Sequence, residues 1–311
     1  MYHGIINVYK EAGFTSHDVV AKLSGVCKQK KIGHTGTLDP DAVGVLPVCL
    51  GNGTRLCDML TDRTKEYVAR LRLGIVTDTQ DASGTILRES KVEVSPEEVR
   101  RVIASFVGDS MQVPPMYSAL KVNGQKLYEL ARQGREVERE ARPVSIYALE
   151  ILEEAYPEYT IRVECSKGTY IRTLCHDIGQ KLGCGGIMVH LERTRVGEFE
   201  IGQAYTLEQL QILSDKGQLD GVVVPVEKMF DSLPALRVKS GAMKALKNGN
   251  PLKAAELETE EENTLSDEIA DGSQNRIYGN GHIFYGVYEY RKERGLFYPV
   301  KMFLPEQNCK D

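Results

Sequence analysis

Lys65-Glu66-Tyr67-Val68-Ala69-Arg70-Leu71-Arg72-Leu73 alternates with a period of two: Tyr67, Ala69, Leu71 and Leu73 on one side, Val68, Arg70 and Arg72 on the other. That is the pattern of a strand with one buried face and one face toward water. A second segment repeats it, with Ile161, Val163 and Cys165 alternating with Thr160, Arg162 and Glu164. Two-faced strands of this kind build antiparallel sheets. A doubly wound parallel sheet needs strands apolar on both faces, and few appear here. Helices fall irregularly between the strands. Val19, Val20, Leu23, Val26 and Cys27 have helical spacing after Ser16, a plausible cap. Ser95-Pro96-Glu97-Glu98 reads as a capping box with proline at the first helical position, followed by the stripe Val99, Val102, Ile103 and Phe106. Ile171, Leu174, Cys175, Ile178 and Leu182 mark a third helix, stopped at Gly183. The expected class is α+β, with a largely antiparallel mixed sheet flanked by helices.

A smaller unit is expected to follow. Residues 1–230 read as the main domain, and residues 233–311, entered through Leu233-Pro234, as a small β-barrel of short strands and turns. In it, Ser240 to Leu246 reads as a short helix, and Ile277 to Tyr290 and Leu296 to Phe303 as strands. An acidic insert at 254–275 interrupts the barrel: Glu256, Glu258, Glu260, Glu261, Glu262, Asp267, Glu268 and Asp271, without a Lys or Arg among them. It reads as a solvated loop. The chain of 311 residues carries a net charge of −5, and setting those eight acids aside leaves +3 on the body, which is compatible with RNA binding. The longest nearly apolar run, Ala42 to Leu50, is too short to span a membrane, and the N-terminus shows no secretory signal, so a cytoplasmic location is expected. Seven scattered cysteines without a C-x-x-C pair fit reduced thiols.

The densest chemical signal is Gly33-His-Thr-Gly-Thr-Leu-Asp39-Pro40-Asp-Ala-Val-Gly44. Glycines on both sides permit tight turns, and Pro40 drives Asp39 away from helical geometry, so the carboxylate sits on a stiffened loop able to present it to a cleft. Taken alone, an Asp-Pro pair reads more readily as a surface turn. The motif resembles the catalytic loop of the TruB family of tRNA pseudouridine synthases. The resemblance continues through Lys65-Glu-Tyr67, the run Leu73 to Gly84, the run Pro114 to Ala131, Cys165-Ser-Lys-Gly-Thr-Tyr170-Ile-Arg172-Thr-Leu, and His190-Leu-Glu-Arg-Thr194. These blocks stand in family order across most of the first 230 residues. Ile277 to Gly286 is similar, more distantly, to the core of a PUA-type RNA-binding barrel. Where the family often has Lys-Pro, this chain has Lys10-Glu11.

The resemblance implies a pseudouridine-synthase fold and a tRNA T-stem-loop as partner, with the target the uridine conventionally numbered 55. It implies Asp39 as the catalytic carboxylate, Arg172 as its ion-pair partner, and Tyr67 against the uracil with a part in proton transfer at C5. It implies further that His34 inserts where the flipped base stood, and that Tyr170 and Leu191 line the base pocket. Isomerising a uridine exchanges no atoms and changes no oxidation state, so neither metal nor organic cofactor is called for. A single chain is expected to act alone. Three rivals come from other classes. Asp39-Pro40-Asp41-Ala42-Val43 also fits the D-x-D-x-[TV] pattern of magnesium-dependent phosphatases, which need the acid at the end of an apolar strand. Metal hydrolysis has little to recommend it, because the six histidines show no H-x-x-x-H spacing. An RNA-binding protein without chemistry is the third.

Overall fold

The computed structural model describes residues 1–259 and 269–304. Its centre is a nine-stranded sheet. In chain order the strands are β1 (Gly4–Lys10), β2 (Ile32–His34), β3 (Val43–Leu50), β4 (Lys65–Leu73), β5 (Gly108–Gln112), β6 (Arg142–Ala155), β7 (Glu158–Cys165), β8 (Gly186–Val196) and β9 (Phe199–Glu200). They lie side by side as β1-β3-β8-β4-β7-β6-β5, with β2 pairing β3 and β9 pairing β8. Every pair is antiparallel except β3 with β8, where Val43 and Gly44 lie beside Glu192 and Arg193 in parallel. The sheet is mixed and largely antiparallel, as the alternating segments require.

Strand β4 buries every odd residue from Lys65 to Leu73. Helices α2 (Pro96–Ala104) and α3 (Ile171–Lys181) cover that face, packing Val99, Val102, Ile103, Leu174, Cys175 and Ile178 against Ala69, Leu71, Ile161 and Val163. Each such aliphatic side chain, fully buried, contributes roughly 1.5–3 kcal/mol. Near β1 and β3, α1 (Ser16–Val26) and α4 (Leu207–Asp215) place Val19, Leu23 and Leu210 over Ile6, Val8, Leu46 and Val48.

The helix ends refine the sequence reading. Thr15, not Ser16, caps α1, in a reciprocal capping box with Asp18. Ser16 is left free to bond the backbone of Leu38 in the glycine-rich loop. At α2, Ser95 accepts from the Glu98 amide, while the Glu98 carboxylate turns to Arg101 at 3.5 Å.

Beyond Phe230 six short strands form a second, nearly closed barrel-like sheet: β10 (Ala235–Val238), β11 (Leu252–Lys253), β12 (Leu257–Glu258), β13 (Gln274–Tyr278), β14 (Phe284–Arg291) and β15 (Leu296–Met302), in the order β11-β15-β14-β13-β10-β12. Its two edge strands, β11 and β12, are joined by the single turn Ala254–Glu256, which brings the open edges together. The expected continuous strand Ile277 to Tyr290 is broken by a turn at Asn280–His282, where Gly281 takes a positive φ of 71°. Phe230, Val287 and Phe303 join Ile5, Val45 and Cys49 in one apolar cluster that seats this sheet on the main one. Glu260, Glu261, Glu262, Asp267 and Glu268 of the acidic insert, and Cys309, lie outside the described residues. The other six cysteines are free thiols.

Candidate active site

Asp39 lies in the loop between β2 and β3, and the loop is bound from several directions. Leu38 N–H donates to Ser16 Oγ at 2.9 Å, Gly13 N–H to the Pro40 carbonyl at 3.0 Å, and Thr35 N–H and Oγ1 both to the Pro47 carbonyl, at 3.2 and 3.1 Å. The loop re-enters the sheet at Gly44, where φ is +104° and a Cβ would stand 2.2 Å from the Arg193 carbonyl. No other residue fits between two strands that close.

Arg172 approaches from the second position of α3. Its Nε lies 2.9 Å from Asp39 Oδ2, and its Nη2 donates to Asp39 Oδ1 at 3.2 Å, a forked contact that fixes the plane of the carboxylate. The same guanidinium donates to the carbonyls of Thr79 (3.2 Å) and Tyr117 (2.8 Å) and lies 3.5 Å from Asp81 Oδ2. Its side chain is 6% exposed, whereas that of Asp39 keeps 40%. The carboxylate is thus gripped on one side and open on the other. Burial pushes the Asp39 carboxyl above its ordinary value, against the pull of Arg172. Asp81 adds to the upward push and Lys10 to the downward pull. Desolvation outweighs the ion pair, so the net shift is upward although the guanidinium pulls downward.

Tyr67, at the start of β4, lies directly across from Arg193 of β8, and Leu191 lies across from Ala69. Tyr67, Leu191 and Leu38 share one apolar cluster. Burial raises the Tyr67 phenol, Arg193 opposes that rise, and the Asp39 charge adds to it. Tyr170 precedes α3 and is tied by both backbone groups to Gln112, N–H to Oε1 at 2.8 Å and carbonyl from Nε2 at 3.1 Å. Its phenol is raised mainly by burial, and it too senses Asp39. His34 ends β2, and burial with the nearby Arg193 lowers its pKa, favouring the neutral ring. Arg172 touches Asp39, while Tyr67, Tyr170 and His34 are tied to this centre through Asp39, Arg193 or the loop itself.

The residues around the loop that sequence reasoning left without a role are mostly those that bind backbone. Lys10 is fully buried, and its Nζ donates to the carbonyls of Glu11, Pro40 and Ala42 at 3.1, 2.9 and 2.5 Å. It thereby clamps the two sides of Asp39, with Glu11 in the place where the family often has proline. Burial pushes its pKa down to about 8. Asp81 accepts from Thr79 Oγ1 and Ser83 Oγ, both at 2.6 Å, in the turn between the short paired strands Ile75–Thr77 and Ile86–Glu89. A lysine bound to carbonyls leaves no sequence signature, because every residue has a carbonyl.

The magnesium-phosphatase reading fails on geometry: Asp39 stands five residues past the three-residue strand β2 and ahead of the apolar strand β3, not at its end. Among the described residues no set of three or more His, Cys, Asp or Glu converges as a metal-binding group.

The mixed sheet presents a loop aspartate to an arginine at a helix start, and its fold is that of the pseudouridine synthases. Two solved structures share the fold, each with a TM-score of 0.69 and covering 97% of this chain and 86% of the other: "Structure of H/ACA RNP bound to a substrate RNA containing 2'-deoxyuridine", at 27% identity, and "Crystal structure of the archaeal box H/ACA sRNP Nop10-Cbf5 complex", at 28%. Residues 25–171 match the TruB family pseudouridylate synthase N-terminal domain, and residues 172–231 the tRNA pseudouridylate synthase B C-terminal domain. The tRNA pseudouridine synthase B of Lachnoclostridium phytofermentans is 50% identical over 310 residues, spanning 97% of this chain and 100% of that one; that of Clostridium perfringens strain SM101 is 44% identical over 296 residues, spanning 94% and 97%. The chain belongs to the TruB family of tRNA pseudouridine synthases, which are isomerases.

Proposed function

We propose that this chain converts the T-loop uridine conventionally numbered 55 in tRNA to pseudouridine, with Asp39 as the catalytic carboxylate. The observation that carries the reading is the forked hold of Arg172 on Asp39, which leaves the carboxylate's open side toward solvent. A forked guanidinium needs an ionised partner, so the pair stabilises the charged form against burial. As the N1–C1′ bond opens, positive charge develops at the sugar, and a fixed carboxylate is suited to meet it. The uracil turns, C5 joins C1′, C5 gives up its proton and N1 gains one. Atoms and electrons balance without a metal or an organic cofactor.

The uridine leaves its stack at a cost of a few kcal/mol. His34, neutral and at the loop's start, fills the vacated space. Tyr170 and Leu191 line the base, while Tyr67 lies against it and takes the C5 proton. Residues 1–230 form the catalytic unit, and the barrel of residues 233–304 adds RNA contact. In this reading a single chain acts alone.

The test uses an unmodified tRNA transcript with EDTA present, followed by chemical mapping of pseudouridine. Modification at position 55 is expected with the native protein. Asp39→Asn is expected to abolish it while RNA affinity stays within about tenfold, or ~1.4 kcal/mol. A variant that modifies at the normal rate removes Asp39 from the reaction, and modification elsewhere removes the assignment of the site.

A further inference from the structure

Among the described residues, the largest side chain with essentially no exposure is that of Arg193, 1% exposed. A guanidinium taken out of water usually keeps a carboxylate beside it. Among the described residues Arg193 forms no ion pair. Its acceptors are neutral: Nε donates to the Val45 carbonyl at 2.7 Å and Nη2 to the Gly36 carbonyl at 3.4 Å, and across the β4–β8 pairing the residue stands directly opposite Tyr67, whose phenol feels its charge. All three belong to the candidate site: β3 where it leaves the loop, the loop itself, and the phenol.

The strand pairing explains how the guanidinium fits. On the side of β3 away from β1, Val43 and Gly44 pair with β8, and Val48 to Leu50 pair with β2. Between them Val45, Leu46 and Pro47 have no strand beside them. Pro47 has no N–H to leave unmet, and its carbonyl is taken by Thr35. Arg193 enters this gap and satisfies Val45. It has no carboxylate there to absorb its charge.

We propose that Arg193 is a positioning residue for the isomerisation, setting its charge by the Tyr67 phenol and making it ready to carry the C5 proton. This rests on the reading of Tyr67 given above. Once C5 is bonded to C1′, it carries both that bond and its original hydrogen. The proton passes to the phenolate oxygen of Tyr67, the C5–H electron pair restores the ring double bond, and N1 takes a proton from solvent. Tyr67 returns its proton to solvent, and nothing is left over. The charged or titratable groups around the phenol are Arg193 from β8, Cys165 from β7 and Asp39 from the loop. Only Arg193 favours the phenolate. Lys10, Lys65 and His34 in turn feel the Arg193 charge. The geometry places a cation where burial would otherwise suppress ionisation.

Single-turnover tritium release from tRNA carrying [5-³H]uridine, followed across pH, tests this. Arg193→Gln removes the charge and is expected to slow release by about 10²-fold near neutral pH. Native and variant rates should both rise with pH, because the phenol, pushed up by burial, is mostly protonated in each, and Arg193→Lys should recover part of the rate. Tyr67→Phe should be as slow as the double variant Tyr67→Phe/Arg193→Gln, since Arg193 acts through the phenol. Rates that do not rise with pH, no recovery in Arg193→Lys, or a double variant slower by the product of the two, would make Arg193 merely structural and overturn the proposal. Should Tyr67→Phe itself keep the native rate, the reading of Tyr67 is what fails. If the Arg193 variants do not fold, the pairing is approached from its other end. Tyr67→Phe then takes a polar oxygen away from a buried guanidinium and should lower the unfolding midpoint by several degrees, and an unchanged midpoint overturns the proposal.

Discussion

The loop carrying Asp39 is held differently on its two sides. On one, Arg172 faces carboxylates, Asp39 in a fork and Asp81 behind it, besides two carbonyls. On the other, Lys10 and Arg193 are equally buried but face carbonyls and a phenol. An ion pair aligns one side chain with another, whereas a cation among carbonyls holds backbone. The first side therefore sets the direction of the carboxylate and the second sets the course of the chain that bears it. Charge on the second side also projects forward, since no anion cancels it at close range. Lys10 pulls the Asp39 carboxyl down and Arg193 opposes the rise of Tyr67.

The largest effect belongs on the ion-paired side. Arg172→Met leaves Asp39 and Asp81 facing each other without the guanidinium between them and removes the donors to the Thr79 and Tyr117 carbonyls. Pseudouridine formation is expected to fall at least about 10³-fold, since orientation and charge of the carboxylate are both lost. Stability should drop by about 3 kcal/mol, the low end for breaking a buried pair, because Asp39 keeps 40% exposure. Arg172→Lys should recover little, for an ammonium cannot reproduce the fork. Rates within tenfold of native for Arg172→Met would show that the pairing is not what orients Asp39.

The carbonyl-bound side should show itself in pH dependence. Lys10 has a folded pKa of about 8 against an ordinary value of 10.5. Between those values the folded chain binds fewer protons than the unfolded one, so the Lys10 contribution to stability grows as pH rises through the window. Lys10→Met removes that slope. The stability gap between native and variant proteins, from urea unfolding at about pH 7 and about pH 9.5, should widen by of order 1–3 kcal/mol. Lys65, also pushed down to about 8 by burial, has the same sign but is present in both proteins and cancels. A gap that stays constant would mean that Lys10 titrates like a solvated lysine, and the clamp is absent.

The two sides also differ in what the sequence discloses. The frame is legible: the period of Lys65–Leu73 returns as buried and open faces of β4, and the α2 and α3 stripes pack as their spacing demands. Asp39 and Arg172 stand 133 positions apart, so no local pattern joins them; the motif resemblance alone brought them together. Arg193 lay within a matching block but gained no role, because its acceptors are backbone and the phenol opposite it is fixed only by strand register. Strand β6 went unread for another reason. Ala148, Leu149, Glu150, Leu152, Glu153 and Glu154 are good helix formers, and two register shifts against β7 blur any alternation. Neighbouring strands decide that segment.

The smallest effect tests whether burial, and not contact geometry, separates the ion-paired side from ordinary ion pairs. Arg100 of α2 and Glu154 of β6 form a fork as good as that of Arg172 on Asp39: Nε to Oε1 and Nη2 to Oε2, both at 2.7 Å. The side chains are 49% and 32% exposed, and the pair lies on the surface between helix and sheet. Water screens the attraction and already solvates both groups well, so little is gained by bringing them together. Arg100→Gln should leave tRNA modification and the unfolding midpoint where they were. Equal losses from Arg100→Gln and Arg172→Met would mean that fork geometry alone carries the energy. The 6% exposure of Arg172 would then have no bearing on why its loss is felt at Asp39.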